Sequence, residues 1–315
     1  MLALFVIVHV STFFFVGGMV ADFAFNSKLK SIGKSVQKMV TDDYLKDSDQ
    51  VFKQEDSWYK DIKKDFIKIN TFDDLEQYAI KITNNFNSDK WVILLHGYRG
   101  GVGQMSNYAK HYYENGYNIL IPSLRGHSLS GTKYISFGWL DRIDILDYID
   151  EIIKIDSNSK IVLHGLSMGA STVMMTTGEE LPSNVKVAVS DCGYSSLYEE
   201  FYYLATDYLG IGAEPIISAV NYFAKQRLGF DINEISAKDQ LKKSKTPTLF
   251  IHGGADTFVP AFMIDINYDA AINLVDGETK QKLIIDNAIH GMSAGVDEKL
   301  YWDTVWDFVG KFVIQ

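Results

Sequence analysis

Several things are scarce in this 315-residue sequence, and each scarcity narrows what the chain can be. There is one cysteine, Cys192, so no intramolecular disulfide holds the fold and no oxidising compartment is required. Cys192 lacks a thiol-protease context and reads as a small buried residue near a strand end. Neither a C-x-x-C pair nor an H-E-x-x-H helix occurs, so no metal site and no cofactor are expected. Basic residues are outnumbered, 30 Lys and Arg against 40 Asp and Glu, for a net charge of −10. Without a basic stripe to release counterions, nucleic acid is excluded as a partner. No internal repeat or low-complexity tract interrupts the chain. Its 47% hydrophobic and 22% charged residues are the balance of a globular protein, not a disordered one.

One long hydrophobic run is present. Residues 2–20 are apolar except for His9, Ser11 and Thr12. Nineteen helical residues span about 28 Å, close to the ~30 Å hydrocarbon core of a bilayer. Residues 1–25 are therefore expected to be an N-terminal membrane anchor, with a cleavable signal ending at Met19-Val20-Ala21 as the alternative. A buried helix of the globular domain is the third reading. No lysine precedes the run, whereas Lys28, Lys30, Lys34 and Lys38 follow it; taken literally the positive-inside rule would put the domain in the cytoplasm, but the sequence leaves the side of the membrane open, with secretion as the alternative. Residues 26–57 are polar, with Ile32, Val36, Met39, Val40 and Leu45 at helical spacing, and read as a helical linker.

From residue 58 to 315 the pattern is that of one α/β domain. An alternating pair at 63–70 and 77–82 reads as a hairpin. Continuous apolar runs follow at 91–95, 118–122, 161–163, 185–189, 248–252 and 282–285, most of them separated by helix-length segments such as 107–115 and 139–155. Strands alternating with helices predict a mostly parallel sheet covered on both faces, after an antiparallel start. Between Asp191 and Thr248 the rhythm lapses into an aromatic-rich stretch, predicted to be a small helical cap at about 194–240 that shapes a substrate pocket.

The chemistry is carried by Gly165-Leu166-Ser167-Met168-Gly169, a match to G-x-S-x-G between a buried strand and a helix. A serine at the apex of so sharp a turn leaves no room for side chains two residues away. A serine hydroxyl needs a base, and the base needs an orienting group. After Ser167, Asp256 and His290 each follow a strand, in the order serine, acid, histidine, on loops at the carboxyl ends of strands where an open α/β sheet builds its site. Asp191 is the rival acid. For the oxyanion, the N–H of Met168 and the N–H of Tyr98, in the loop after the 91–95 strand, are the candidate donors. His96 reads as a structural group holding that loop.

Together His96-Gly97-Tyr98, Arg125-Gly126-His127, the serine motif, His252-Gly-Gly-Ala-Asp256 with Val259-Pro260, and His290-Gly291 resemble the α/β-hydrolase superfamily. They are most similar to membrane-anchored hydrolases of Gram-positive bacteria, grouped with serine-aminopeptidase-like and cinnamoyl-esterase-like enzymes. The resemblance covers residues 58–315 and implies an α/β-hydrolase fold with a cap insertion. Two departures concern the Arg125 loop, where Ser123 and Ser128 replace an Asp and a Gly of the usual pattern. The expected activity is hydrolysis of a small-molecule ester or acyl substrate through an acyl-enzyme. Alternatives are a serine aminopeptidase, a thioesterase, or an inactive membrane-tethered binding protein on the same fold.

Overall fold

The computed structural model describes residues 2–29, 57–86, 88–209 and 213–313, with side chains described from Phe14 onward in the first segment. The expected linker at 26–57 lies almost wholly outside the described residues. In chain order the elements are α1 (Leu2–Phe25), α2 (Ser57–Asp61), β1 (Asp65–Asn70), β2 (Glu76–Ile82), β3 (Lys90–Leu95), α3 (Ser106–Glu114), β4 (Asn118–Pro122), α4 (Asp141–Ile155), β5 (Lys160–Leu166) and α5 (Met168–Thr176). They continue with β6 (Val185–Asp191), α6 (Leu197–Leu209), α7 (Ala213–Leu228), α8 (Ala237–Leu241), β7 (Thr248–Gly253), α9 (Met263–Ala270), β8 (Lys280–Ile285), α10 (Ser293–Val296) and α11 (Glu298–Val313).

The strands form one 8-stranded sheet in the order β1-β2-β4-β3-β5-β6-β7-β8. β1, β2 and β4 pair antiparallel, and every pairing from β4 onward is parallel. This is the α/β-hydrolase architecture expected from the sequence. The central strands are buried on both faces, which is why they read as unbroken apolar runs. Alternate residues feed two cores. Ile93, Leu95 and Leu163 pack with α4 and α5 on one side, while Val92, Leu94 and Val162 pack with α3 and α11 on the other. Register fixes the site: Leu95 lies opposite Gly165, and Leu166 opposite Asp191, so the loops leaving β3, β5 and β6 emerge side by side.

Within the segment expected to be a cap, α6 and α7 pack on each other over the cavity side of Ser167, whereas α8 packs against α5 and α9. α1 differs from a free-standing anchor in one respect: its C-terminal half is built into the domain. Ala21 and Phe25 are fully buried, and burying a phenylalanine side chain is worth about 1.5–3 kcal/mol. Gly17 lies against Ala219 of α7, where a Cβ would come within 2.3 Å of the Ala219 Cβ. Gly18 faces Phe223, and Asp22 pairs with Arg227 at 2.9 Å. The adjacent Gly17 and Gly18, which look merely apolar in the sequence, are what let the two helices meet closely. Among the described residues no helix is long and apolar enough to cross a membrane.

Candidate active site

Ser167 sits where β5 turns into α5, with φ 57° and ψ −119°, a backbone conformation that L residues rarely adopt. The turn holds because nothing larger than hydrogen fits beside it. A Cβ on Gly165 would stand 2.2 Å from the Gly169 carbonyl oxygen, and one on Gly169 would stand 2.1 Å from that of Leu95. The Ser167 N–H donates to the Asp191 carbonyl at 2.8 Å, tying the elbow to β6.

The loops after β7 and β8 bring Asp256 and His290 to this serine. Ser167 Oγ lies 2.8 Å from His290 Nε2, and His290 Nδ1 lies 2.7 Å from Asp256 Oδ2. The second oxygen, Asp256 Oδ1, accepts the N–H groups of Phe258 and Val259, both at 3.0 Å. Burial alone would raise the Asp256 pKa, but the facing His290, with hydrogen bonds from His252 and His290, brings it down to about 2. Sequence reasoning missed His252 as a partner. Its Nε2 lies 3.0 Å from the Val259 carbonyl and 3.2 Å from Asp256 Oδ2, so it braces the acid loop. The only signal was its place at the end of β7.

Asp191, the rival acid, faces the other way. Its Oδ2 accepts the hydroxyls of Tyr301 at 3.0 Å and Tyr108 at 3.4 Å on the α3/α11 side of the sheet. Burial pushes it up to about 6 despite the Tyr301 hydrogen bond. Tyr301 continues this network to His164, whose other nitrogen meets Tyr112, each at 3.0 Å.

The loop after β3 lies directly over the serine, since a Cβ on Gly97 would come within 3.3 Å of the Ser167 Cβ. Met168 opens α5, so its N–H has no partner within the helix. No acceptor among the described residues takes the Tyr98 N–H. Gln104, which carried no sequence signal, holds the loop by accepting the Gly97 N–H at 2.7 Å. His96 does as expected: Nδ1 meets the Gly97 carbonyl at 2.9 Å, and Nε2 accepts the Leu124 N–H at 3.1 Å. Burial, helped by His127, lowers its pKa to about 3, so it stays neutral. In the Arg125 loop one of the two serines has a structural part. Ser123 Oγ accepts the Leu129 N–H at 3.1 Å, and the Arg125 guanidinium binds Asp144 and Asp73 by paired bonds of 2.6–2.8 Å.

Above Ser167 opens a cavity of about 330 Å³. Its walls come from α1, the Tyr98 loop, the cap and Phe258, and they are almost wholly apolar. The exception besides Ser167 is Glu200 of α6. It is 4% exposed, and neither carboxyl oxygen has a hydrogen-bond partner among the described residues. Burial first, then the nearby Asp256 charge, pushes its pKa well above the ordinary carboxylate value. Among the described residues Cys192, Asp256 and His290 place ligand atoms within 4.8 Å of one another. Asp256 and His290 are spent on each other, and burial raises the Cys192 thiol well above its usual range, so this group is a poor metal cage.

Comparison with known proteins agrees with this architecture. A family profile described as the alpha/beta hydrolase fold matches residues 90–210. An uncharacterized Bacillus subtilis protein, YqkD, is 27% identical over 220 residues, 69% of this chain and 70% of its own length. Among solved structures, the Pyrococcus furiosus esterase Pf2001 superposes with a TM-score of 0.65 at 21% identity, covering 80% of this chain and 94% of that one. The Pyrococcus horikoshii acylaminoacyl peptidase superposes at 0.56 with 17% identity, covering 79% of this chain and 41% of that one. These likenesses support the expectation of a hydrolase.

Proposed function

We propose, on the α/β-hydrolase fold as premise, that this protein is a serine hydrolase cleaving carboxylic esters through an acyl-enzyme. The observation that carries the reading is the hydrogen-bonded chain from Ser167 through His290 to Asp256 at the floor of an apolar cavity. Ser167 attacks the carbonyl carbon as His290 Nε2 takes its proton. Asp256 holds the imidazole so that Nε2 faces the serine, and its charge offsets the imidazolium that forms. The tetrahedral oxyanion is held by the N–H groups of Met168 and Tyr98. Collapse expels the alcohol, which receives the proton from His290, and water repeats the sequence to release the acid.

The direct test is p-nitrophenyl ester turnover by Ser167→Ala. Removal of the nucleophile should lower kcat by roughly 10⁴-fold or more. A loss of only a few-fold in a folded variant would overturn the assignment. A second reading is favoured by one observation. The unpartnered Glu200 carboxyl at the cavity would ionise against an ammonium group, which suits an aminoacyl substrate and hence an aminopeptidase. Aminoacyl p-nitroanilides in the same panel separate the two, because only the second reading expects them to outpace simple esters. The apolar run at 2–20 supports a third element of the proposal, that the enzyme is held at a membrane by its N-terminal helix.

A further inference from the structure

α1 takes part in the site in two ways that an anchor alone does not require. First, Val16, Met19, Val20, Phe23 and Ala24 line the same cavity as Ser167, facing Leu204, Ile217 and Val220 of the cap. Second, the oxyanion loop caps the helix. The last carbonyls of a helix have no donor within it. Here the Tyr98 hydroxyl donates to the Ala24 carbonyl at 3.0 Å, and Arg99 Nη2 donates to that of Phe23 at 2.6 Å. The Arg99 guanidinium also lies 4.3 Å above the Phe23 ring. The residue whose N–H is assigned to the oxyanion thus holds the end of α1 with its side chain. Ile135 N–H, donating to the Phe25 carbonyl at 2.8 Å, closes the joint from the other side.

The lining states what belongs inside. Apart from Ser167 and Glu200, the polar atoms on the walls are committed elsewhere: the Tyr98 hydroxyl to α1 and the Tyr194 hydroxyl to the Phe137 carbonyl at 2.7 Å. Burial raises the Glu200 pKa well above its ordinary value, which favours the uncharged carboxyl when no cation faces it. A sugar or a peptide would lose water from its polar groups and find few partners here. A hydrocarbon chain loses only unfavourable contacts with water.

Resting on the esterase reading, we propose that α1 is a wall of the substrate cavity and that the ester cleaved carries a hydrocarbon chain, which lies along α1 between it and α6 and α7. The chain comes from either the acid or the alcohol of the ester, and two substrate series separate these sources: p-nitrophenyl esters from acetate to dodecanoate, and acetates of n-alkanols of matching lengths.

In the series that matches, kcat/KM of the full-length protein should rise about fourfold per added methylene until the cavity fills. Met19→Trp and Val20→Trp, which fill the cavity from the α1 side, should each lower the eight-carbon to two-carbon ratio at least tenfold in that series. Met19→Ala, which enlarges it and is gentler on folding, should move the optimum to longer chains. Phe15→Ser, at a position 68% exposed on the outside of α1, should leave the ratio unchanged. A shift in the acyl series places the acid's chain along α1, and a shift in the alkyl series places the alcohol's. Ratios that move less than twofold in both series for folded α1 variants overturn the proposal, as does a wild-type rate flat in chain length, while Ser167-dependent ester cleavage leaves the esterase reading standing. Absence of any ester cleavage by the wild type overturns both.

Discussion

Glu200 sits in an apolar wall with a carboxyl that bonds to nothing among the described residues, and a buried acid in that position resolves the conflict by keeping its proton. This gives it a pH signature. In the unfolded chain the group ionises near its ordinary value of 4.5, whereas in the fold burial holds the pKa well above that. Between those two values the unfolded chain binds fewer protons than the native one, so stability falls as pH rises, by up to about 1.4 kcal/mol per pH unit. Glu200→Gln has no proton to lose. In thermal melts at pH 5, 7 and 9 the variant should gain on the wild type as pH increases. A difference that stays constant across the series would mean that the carboxylate is ionised or paired in the native protein. Residues differ in how far sequence reveals them for the same kind of reason. Gly165 and Gly169 were legible because a steric demand acts within the motif itself. Glu200, Gln104 and His252 owe their roles to neighbours that only the fold supplies.

At the level of elements, the parallel strands were the most legible part, because burial on both faces leaves a continuous apolar run that names its own boundaries. Asn118–Pro122 appears at the predicted residues; β3, β5 and β8 begin one or two residues earlier, each at a lysine that concealed the start, and β5, β6 and β7 run one to three residues further at their carboxyl ends. α1 was the opposite case. A helix apolar all round has no periodicity to say which side is covered, so its inward face had no signature. The Arg125 loop is held by a buried charge cluster that spans three parts of the chain. Arg125 is almost wholly buried and grips both Asp144, which is equally buried, and the half-exposed Asp73. Its removal would leave the Asp144 carboxylate without its counter-charge. Arg125→Ala should therefore cost about 3–5 kcal/mol in urea denaturation, with most of it from the Asp144 side because water screens Asp73. Arg125→Lys should recover only part, since an ammonium cannot make two paired contacts at once. A loss under about 1 kcal/mol for the alanine variant would show that the loop is held by its backbone bonds alone.

At the scale of the whole molecule, the outer side of α1 is the surface with the most to explain. Phe14 and Phe15 of α1 are 44% and 68% exposed, and Phe14 meets Tyr222 of the cap edge to face, with ring centroids 5.7 Å apart. These rings lie outside the cavity lining, so the outer side of α1 and the edge of the cap share exposed apolar surface of the kind that meets another apolar surface. Carbonate extraction of expressing cells should leave the full-length chain in the membrane pellet. A shorter protein in the soluble fraction, beginning near residue 22, would show the run to be a cleaved signal and would also remove the α1 wall from the mature enzyme.

The contact between Gly17 and Ala219 has a consequence for how the protein is made. The two residues are about 200 positions apart, and a ribosome adding ~5–20 residues per second needs roughly 10–40 s to pass from one to the other. Through that interval the nascent N-terminal helix exists without the helix that will cover it. Until residue 219 is made, the small-residue face of that helix has no partner within the chain, so the order of synthesis keeps the α1 wall of the cavity from closing before the cap is made.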